Sequence, residues 1–127
     1  MARSAKEVWF INRGLVILRP KEPFVKWVQA SDPKESVVDA EFVRSHVNGY
    51  LIPELDGADE SWEWIRHNAR DLFEFALSEW YSDESLWPKR RTWTSLQEWF
   101  DVEFIEVVWD MVDAVLTSDP NDPEHQL

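Results

Sequence analysis

The apolar positions change their period along the chain, and each change marks an element. Leu15, Val16, Ile17 and Leu18 form a continuous apolar run between Gly14 and Pro20. A run this short, bounded by glycine and proline, predicts a buried strand over 15–19. Directly behind it, Phe24, Trp27 and Val28 stand at i, i+3 and i+4 after Pro23. That spacing predicts a short helix over 23–30, ending before Ser31-Asp32-Pro33. Residues 40–45 carry a further helical turn, with Asp39 as N-cap and Phe42 and Val43 as apolar anchors. Tyr50, Leu51 and Ile52 follow Asn48-Gly49 and precede Pro53, which reads as a second strand over 48–53. Proline offers no N–H to a ladder, so Pro53 belongs at a strand end or on an edge.

The longest periodic stretch runs from Asp59 to Tyr81. Trp62, Ile65, Ala69, Leu72, Phe73, Ala76 and Trp80 recur at steps of three and four, with Glu63, Arg66, Arg70, Glu74 and Ser78 opposite. This predicts one amphipathic helix over 59–81, about 35 Å long, against which the sheet packs. Asp56-Gly57 supplies the turn before it, and Asp59 and Glu60 suit its N-terminal dipole. Farther on, Thr94 and Gln97 have the spacing of a capping box and predict a helix over 95–101. The stretch after Val102 reads two ways. Ile105, Val107, Trp109 and Met111 alternate as in a strand, while Glu103, Glu106, Asp110 and Asp113 have helical spacing. The abundance of Val, Ile, Phe and Trp favours a third strand over 104–111. The expectation is an α+β fold: a small three-stranded sheet packed against one long helix, with three shorter helices. Long connections leave parallel and antiparallel pairing both open. Residues 1–127 read as a single domain with loose termini at about 1–7 and 117–127.

Composition adds the character of the core and of the surface. Hydrophobic residues make up 44% of the 127 positions, with nine Trp and seven Phe, so an aromatic core is expected rather than disorder. The absence of Cys excludes disulfides, thiolate metal sites and a cysteine nucleophile, and fits a reducing compartment. No apolar run has the length of a signal peptide or a membrane span, and the chain reads as cytoplasmic. The net charge of -12 is unevenly placed: residues 1–53 hold 8 Lys/Arg and 6 Asp/Glu, residues 54–127 hold 5 and 19. Such a field disfavours nucleic acid and anionic membranes, and favours a protein partner, a basic one above all, or leaves room for a homodimer through surplus aromatic surface.

Candidate chemistry is sparse. Glu63 and His67 lie four apart, but no second His completes a zinc motif; they read as a surface pair. His46 has no carboxylate or Ser at motif spacing, and His125 lies near the C-terminus. Glu54, Asp56, Asp59 and Glu60 cluster where a strand ends and a helix begins, without the calcium-loop pattern; helix capping accounts for them, and no metal is expected. Gly14, Gly49 and Gly57 are isolated, so there is no phosphate loop and no cofactor is implied. The remaining feature is "DESLWPKRRTW", residues 83–93. There Trp87 and Trp93 flank Lys89, Arg90 and Arg91, the only Lys or Arg in residues 71–127. These five side chains form the candidate binding site, an aromatic and cationic pocket for an anionic or planar group or an acidic segment. The competing structural reading is a corner between two helices, with the cations lying along Glu79, Asp83 and Glu84. The functional expectation is a non-catalytic binding or protein-interaction domain. The alternatives are an acidic, antitoxin-like inhibitor of a basic protein, and an enzyme of unknown reaction working from Glu54, Asp56 and nearby cations.

Three stretches, "INRGLVILRPKEPFVKWV", "NGYLIPEL" and "FEFALSEWYSDESLWPKRRTWTSLQEWFDVEF", together resemble a family of small acidic bacterial proteins of unknown function. The likeness rests most on Pro20, Lys21, Pro23, Phe24 and Trp27, then on Asp83, Glu84, Trp87, Pro88, Arg91, Trp99, Phe100 and Asp101. Members of that family carry a His-Ser pair before the last strand, where this chain has Ile105 and Glu106. The resemblance implies no activity and no catalytic residues, and it favours a strand near 104–111.

Overall fold

The apolar run after Gly14 is the centre of the sheet. In the computed structural model, which describes residues 9–31 and 38–118, the strands are Trp9–Phe10 (β1), Arg13–Pro20 (β2), Asn48–Pro53 (β3), Phe100–Ile105 (β4) and Trp109–Asp110 (β5). The helices are Glu22–Ala30 (α1), Ala40–Ser45 (α2), Ala58–His67 (α3), Ala69–Trp80 (α4) and Trp93–Trp99 (α5). The order β3-β2-β4 makes a three-stranded sheet. Both pairings are antiparallel, with Val16 opposite Tyr50 on one side and Phe104 on the other. The fold is α+β, as the periodicities require. The expected loose termini at about 1–7 and 117–127 lie outside the described residues, except for 117 and 118.

One face of the sheet is buried. Val16, Leu18, Ile52 and Phe100 join Phe24, Val25 and Val28 of α1, Ile65 of α3, Leu72, Phe73, Ala76 and Leu77 of α4, and Leu96 of α5 in a single core. Its centre is aromatic: the Phe24 ring lies 4.6 Å from Phe100 and 5.5 Å from Trp27, and Phe73 lies 5.3 Å from Trp99. Mixed edge and tilted geometries of this kind suit the ring quadrupoles. The other face carries Leu15, Ile17, Leu51 and Ile105 beside an Arg19–Glu103 ion pair.

Several boundaries differ from the expectation. The helical run over 59–81 divides at Asn68 (φ -106°, ψ 17°). The Asn68 side chain donates to the Trp64 carbonyl at 2.9 Å, a local bond that competes with the regular helical ladder. The apolar stripe is as expected on both sides of the break, from Ile65 to Ala76. Helix α5 starts two residues early because Thr92, not Thr94, is the N-cap: its Oγ1 accepts from the Ser95 N–H. Phe42, expected as an anchor of α2, is exposed, whereas Val43 is buried.

The third strand begins at Phe100 without a loop, since Phe100, Val102 and Phe104 face the helices in alternation. It ends at Ile105, and the ladder then resumes as β1–β5. Between the pairs Phe10–Trp109 and Leu15–Ile105, four residues (11–14) stand opposite three (106–108). This is the signature of a β-bulge. The expected strand over 104–111 is therefore two strands interrupted by a bulge, and their partners are one folded-back N-terminal stretch.

Candidate functional site

The candidate corner is built on the end of α4. There the Tyr81 N–H closes the last turn on the Leu77 carbonyl, and the Tyr81 hydroxyl donates to the Val28 carbonyl of α1. Asp83 then caps a 3-10 turn at Glu84–Leu86: its Oδ1 accepts from the Ser85 N–H at 3.0 Å and from the Ser85 hydroxyl at 2.7 Å. These bonds hold its carboxyl below the ordinary aspartate range. The turn offers the Leu86 carbonyl to Trp27 Nε1 at 2.9 Å, and Trp87 Nε1 donates back to the Tyr81 carbonyl at 2.7 Å. Two indole donors thus tie the corner to α1 and to itself.

Arg91 completes that network. Its Nε donates to Glu74 Oε2 at 2.9 Å, its Nη1 to the Pro88 carbonyl at 2.8 Å, and its guanidinium carbon lies 5.7 Å from the Trp87 ring centre. Glu74 also accepts from Arg70 Nε at 3.0 Å. The Arg70 bond first, then Arg91, holds the Glu74 carboxyl below its ordinary value despite partial burial. Two of the three carboxylates expected to receive the cations are engaged elsewhere, and Glu84 makes no ion pair with them. Glu79 binds His46 and Asn48, and Asp83 caps its turn.

The five candidate residues therefore separate. Trp87 and Arg91 are locked in the corner, whereas Lys89 and Arg90 are exposed and make no ion pair or hydrogen bond among the described residues. Trp93 turns to the other side of α5 and packs edge-on against Trp62, 6.2 Å between ring centres. The structure brings no common aromatic and cationic pocket together from them.

Three features escape the local motifs. His46 Nε2 lies 2.7 Å from Glu79 Oε1, and Asn48 donates to the other oxygen of the same carboxylate. Tyr50 lies beside Asn48, and burial raises its hydroxyl pKa above the ordinary value. The cluster joins β3 to the end of α4 across 31 to 33 residues of sequence, beyond the reach of any spacing rule. The neighbouring Ser45 hydroxyl is turned away from it and donates to the Phe42 carbonyl at 2.8 Å. Glu63 and His67, expected to pair, make no bond to each other and lie exposed along α3.

The second feature is the ladder beyond the bulge. Trp9, Phe10 and Trp109 are 65%, 61% and 55% exposed, and Met111 and Val112 continue the apolar surface. Phe10 and Trp109 meet edge-on at 5.6 Å, so the ribbon is held by its own rings rather than by the core. Beside it, Phe10, Phe104, Ser61, Glu54 and Glu106 line a cleft of about 130 Å³. That is well under the several hundred Å³ of a small-molecule site. Asp56 is not among the residues lining it.

The third is a groove of about 410 Å³ along the outer side of β4, lined by Trp62, Trp93, Gln97, Asp101, Val102 and Lys21. No group of three or more His, Asp or Glu among the described residues is placed to hold a metal. No helix among them is long and apolar enough to cross a membrane. With this geometry in view, no protein-family model, no curated protein and no solved structure matches the chain.

Proposed function

We propose that this protein is a non-catalytic protein-interaction domain, working in the cytoplasm. The observation that carries this reading is the apolar ribbon of Trp9, Phe10 and Trp109, which extends the ladder past the bulge without reaching the core. A two-stranded ribbon has little stability alone, and contiguous exposed aromatic surface marks contact sites.

The test is a variant carrying Trp9→Ser, Phe10→Ser and Trp109→Ser, compared with the parent in affinity capture from its host and in chemical denaturation. The expected result is loss of a specific partner with folding stability changed by less than about 1 kcal/mol, as for surface positions. A loss of several kcal/mol would assign the three rings to the fold and overturn the reading.

A second reading has its own observation. From Thr92 to the C-terminus there is no Lys or Arg, which favours an acidic surface that shields a basic protein. Capture would then weaken steeply between low and high salt, and salt-independent capture would exclude it.

A further inference from the structure

Strand β4 pairs with β2 on one side only, and no described strand lies on the other. Beyond Phe100, its alternate backbone N–H and C=O groups on that side make no hydrogen bond among the described residues and can receive a further strand. Natural sheets blunt such edges with charged side chains, Pro, bulges or a covering element; β4, Phe-Asp-Val-Glu-Phe-Ile, has no Pro or Lys, and its charges, Asp101 and Glu103, are acidic, which leaves the edge open to a basic strand. Helices α3 and α5 leave beside it the groove floored by Trp62 and Trp93. Trp62 also packs on Phe104, 6.0 Å between ring centres. Neither indole N–H of the groove donates to any group among the described residues, in contrast to Trp27 and Trp87.

The side chains of β4 alternate between this groove and the outer face. Asp101 and Glu103 lie on the outer face, Asp101 at the border of the groove, and Glu106 follows just past the strand, where it lines the cleft beside Phe104. The nearby cations are engaged: Arg19 bonds Glu103, and Lys21 donates to the Gln97 carbonyl at 3.0 Å. Asp101 and Glu106 are exposed and make no ion pair among the described residues. A second copy pairing here would set Asp101 and Glu103 against the same residues. Like charges directly opposite destabilise a strand pair, and each copy adds a net charge of -12.

We infer that the open edge of β4 accepts an extended segment of another protein as an added strand. The segment presents apolar side chains to Trp62 and Trp93 and Lys or Arg to Asp101 and Glu106. Main-chain hydrogen bonds hold such a strand, and pockets for alternate side chains select it. This inference rests on the protein-interaction reading and names the partner's chemistry.

The probe is an end-capped eight-residue peptide of alternating Lys and Val, titrated into the isotope-labelled full chain and followed by amide and indole NMR shifts. Two controls accompany it: the same peptide N-methylated at its four central residues, and the peptide with Glu for Lys. Shifts are expected at residues 100–105 and at the Trp62 and Trp93 indoles. N-methylation should weaken binding at least tenfold, the Glu peptide should not bind, and Asp101→Lys or Trp93→Leu should weaken it severalfold. Denaturation of each variant establishes that it is folded.

Equal affinity for the N-methylated peptide overturns strand addition, because charge alone would then account for binding. Shifts centred on other surfaces, or no binding at all, also overturn it. If the ribbon variant of Trp9, Phe10 and Trp109 loses its partner while the peptide leaves β4 unmoved, the interaction reading stands and the edge site alone fails.

Discussion

At the scale of single residues, Gly14 shows how closely the core is set. A Cβ there would lie 2.9 Å from Phe104 Cε1 and 3.3 Å from Ile52 Cγ1, whereas one at Gly57 would meet nothing within 4 Å. Gly57 also has an extended backbone, φ 179°, which any residue adopts. We expect Gly14→Ala to cost about 1–3 kcal/mol by overpacking, and Gly57→Ala, where the gain in chain stiffness opposes the poorer N-cap of α3, to change stability by less than about 1 kcal/mol. Urea denaturation of the two variants reads the difference. Glu74 supplies a prediction in pH. Its carboxyl is depressed below the ordinary value of 4.5 by Arg70 and Arg91. The group therefore contributes stability that is fully present above about pH 4.5 and is lost as pH falls through the depressed folded value. Glu74→Gln should lower stability at pH 7 by about 1 kcal/mol or less, the usual range for accessible pairs. The gap from the parent should close in acid, as thermal melts between pH 7 and pH 3 would show. The sequence identifies Arg91 as a site residue but not its partner, because Glu74 lies a helix away and only the packing of the corner on α4 selects it over Glu79, Asp83 or Glu84.

At the scale of elements, local signals served best where the deciding contacts lie within a few residues. Helix α2 and strand β3 have the bounds that Asp39, Asn48-Gly49 and Pro53 predict, since a cap, a turn and a missing N–H act on their immediate neighbours. The start of α5 shows the limit. Thr92 and Thr94 both fit an N-cap, and the burial of Leu96 against the core places Thr92 at the helix entrance. Thr92→Ala should cost about 1 kcal/mol, the usual price of a lost cap, and Thr94→Ala well under half of that. Circular dichroism melts of the two variants distinguish the assignments. The last strand was legible as strand but not in its bounds. The alternation from Phe100 belongs to β4, and the bulge opposite residues 11–14 resets the phase before Trp109. No window of sequence can show a bulge whose other half lies about ninety residues away. A separation of 33 residues likewise hid the His46–Glu79 pair, which joins the start of β3 to the end of α4.

At the scale of the whole molecule, charge sets a general response. With 19 Asp/Glu against 5 Lys/Arg in residues 54–127, self-repulsion acts on the folded state, and salt screens it. Raising ionic strength from about 0.01 M to 0.15 M contracts the Debye length from about 30 Å to 8 Å. The melting temperature should rise by several degrees, about 4 °C or more for each kcal/mol relieved in a domain near this size. Scanning calorimetry at the two salt concentrations tests this, and a fall would mean that the exposed ion pairs outweigh the repulsion. The sequence by itself determined the α+β class, the apolar stripes that build the core and the acidic surface. All three follow from periodicity and composition, which act locally or as sums. The tertiary structure alone decided the strand order, the bulge and the division of the Trp87–Trp93 corner. It locked Trp87 and Arg91 in place, left Lys89 and Arg90 in solvent, and turned Trp93 toward Trp62. Each of these depends on which distant surfaces meet, and no spacing along the chain encodes that.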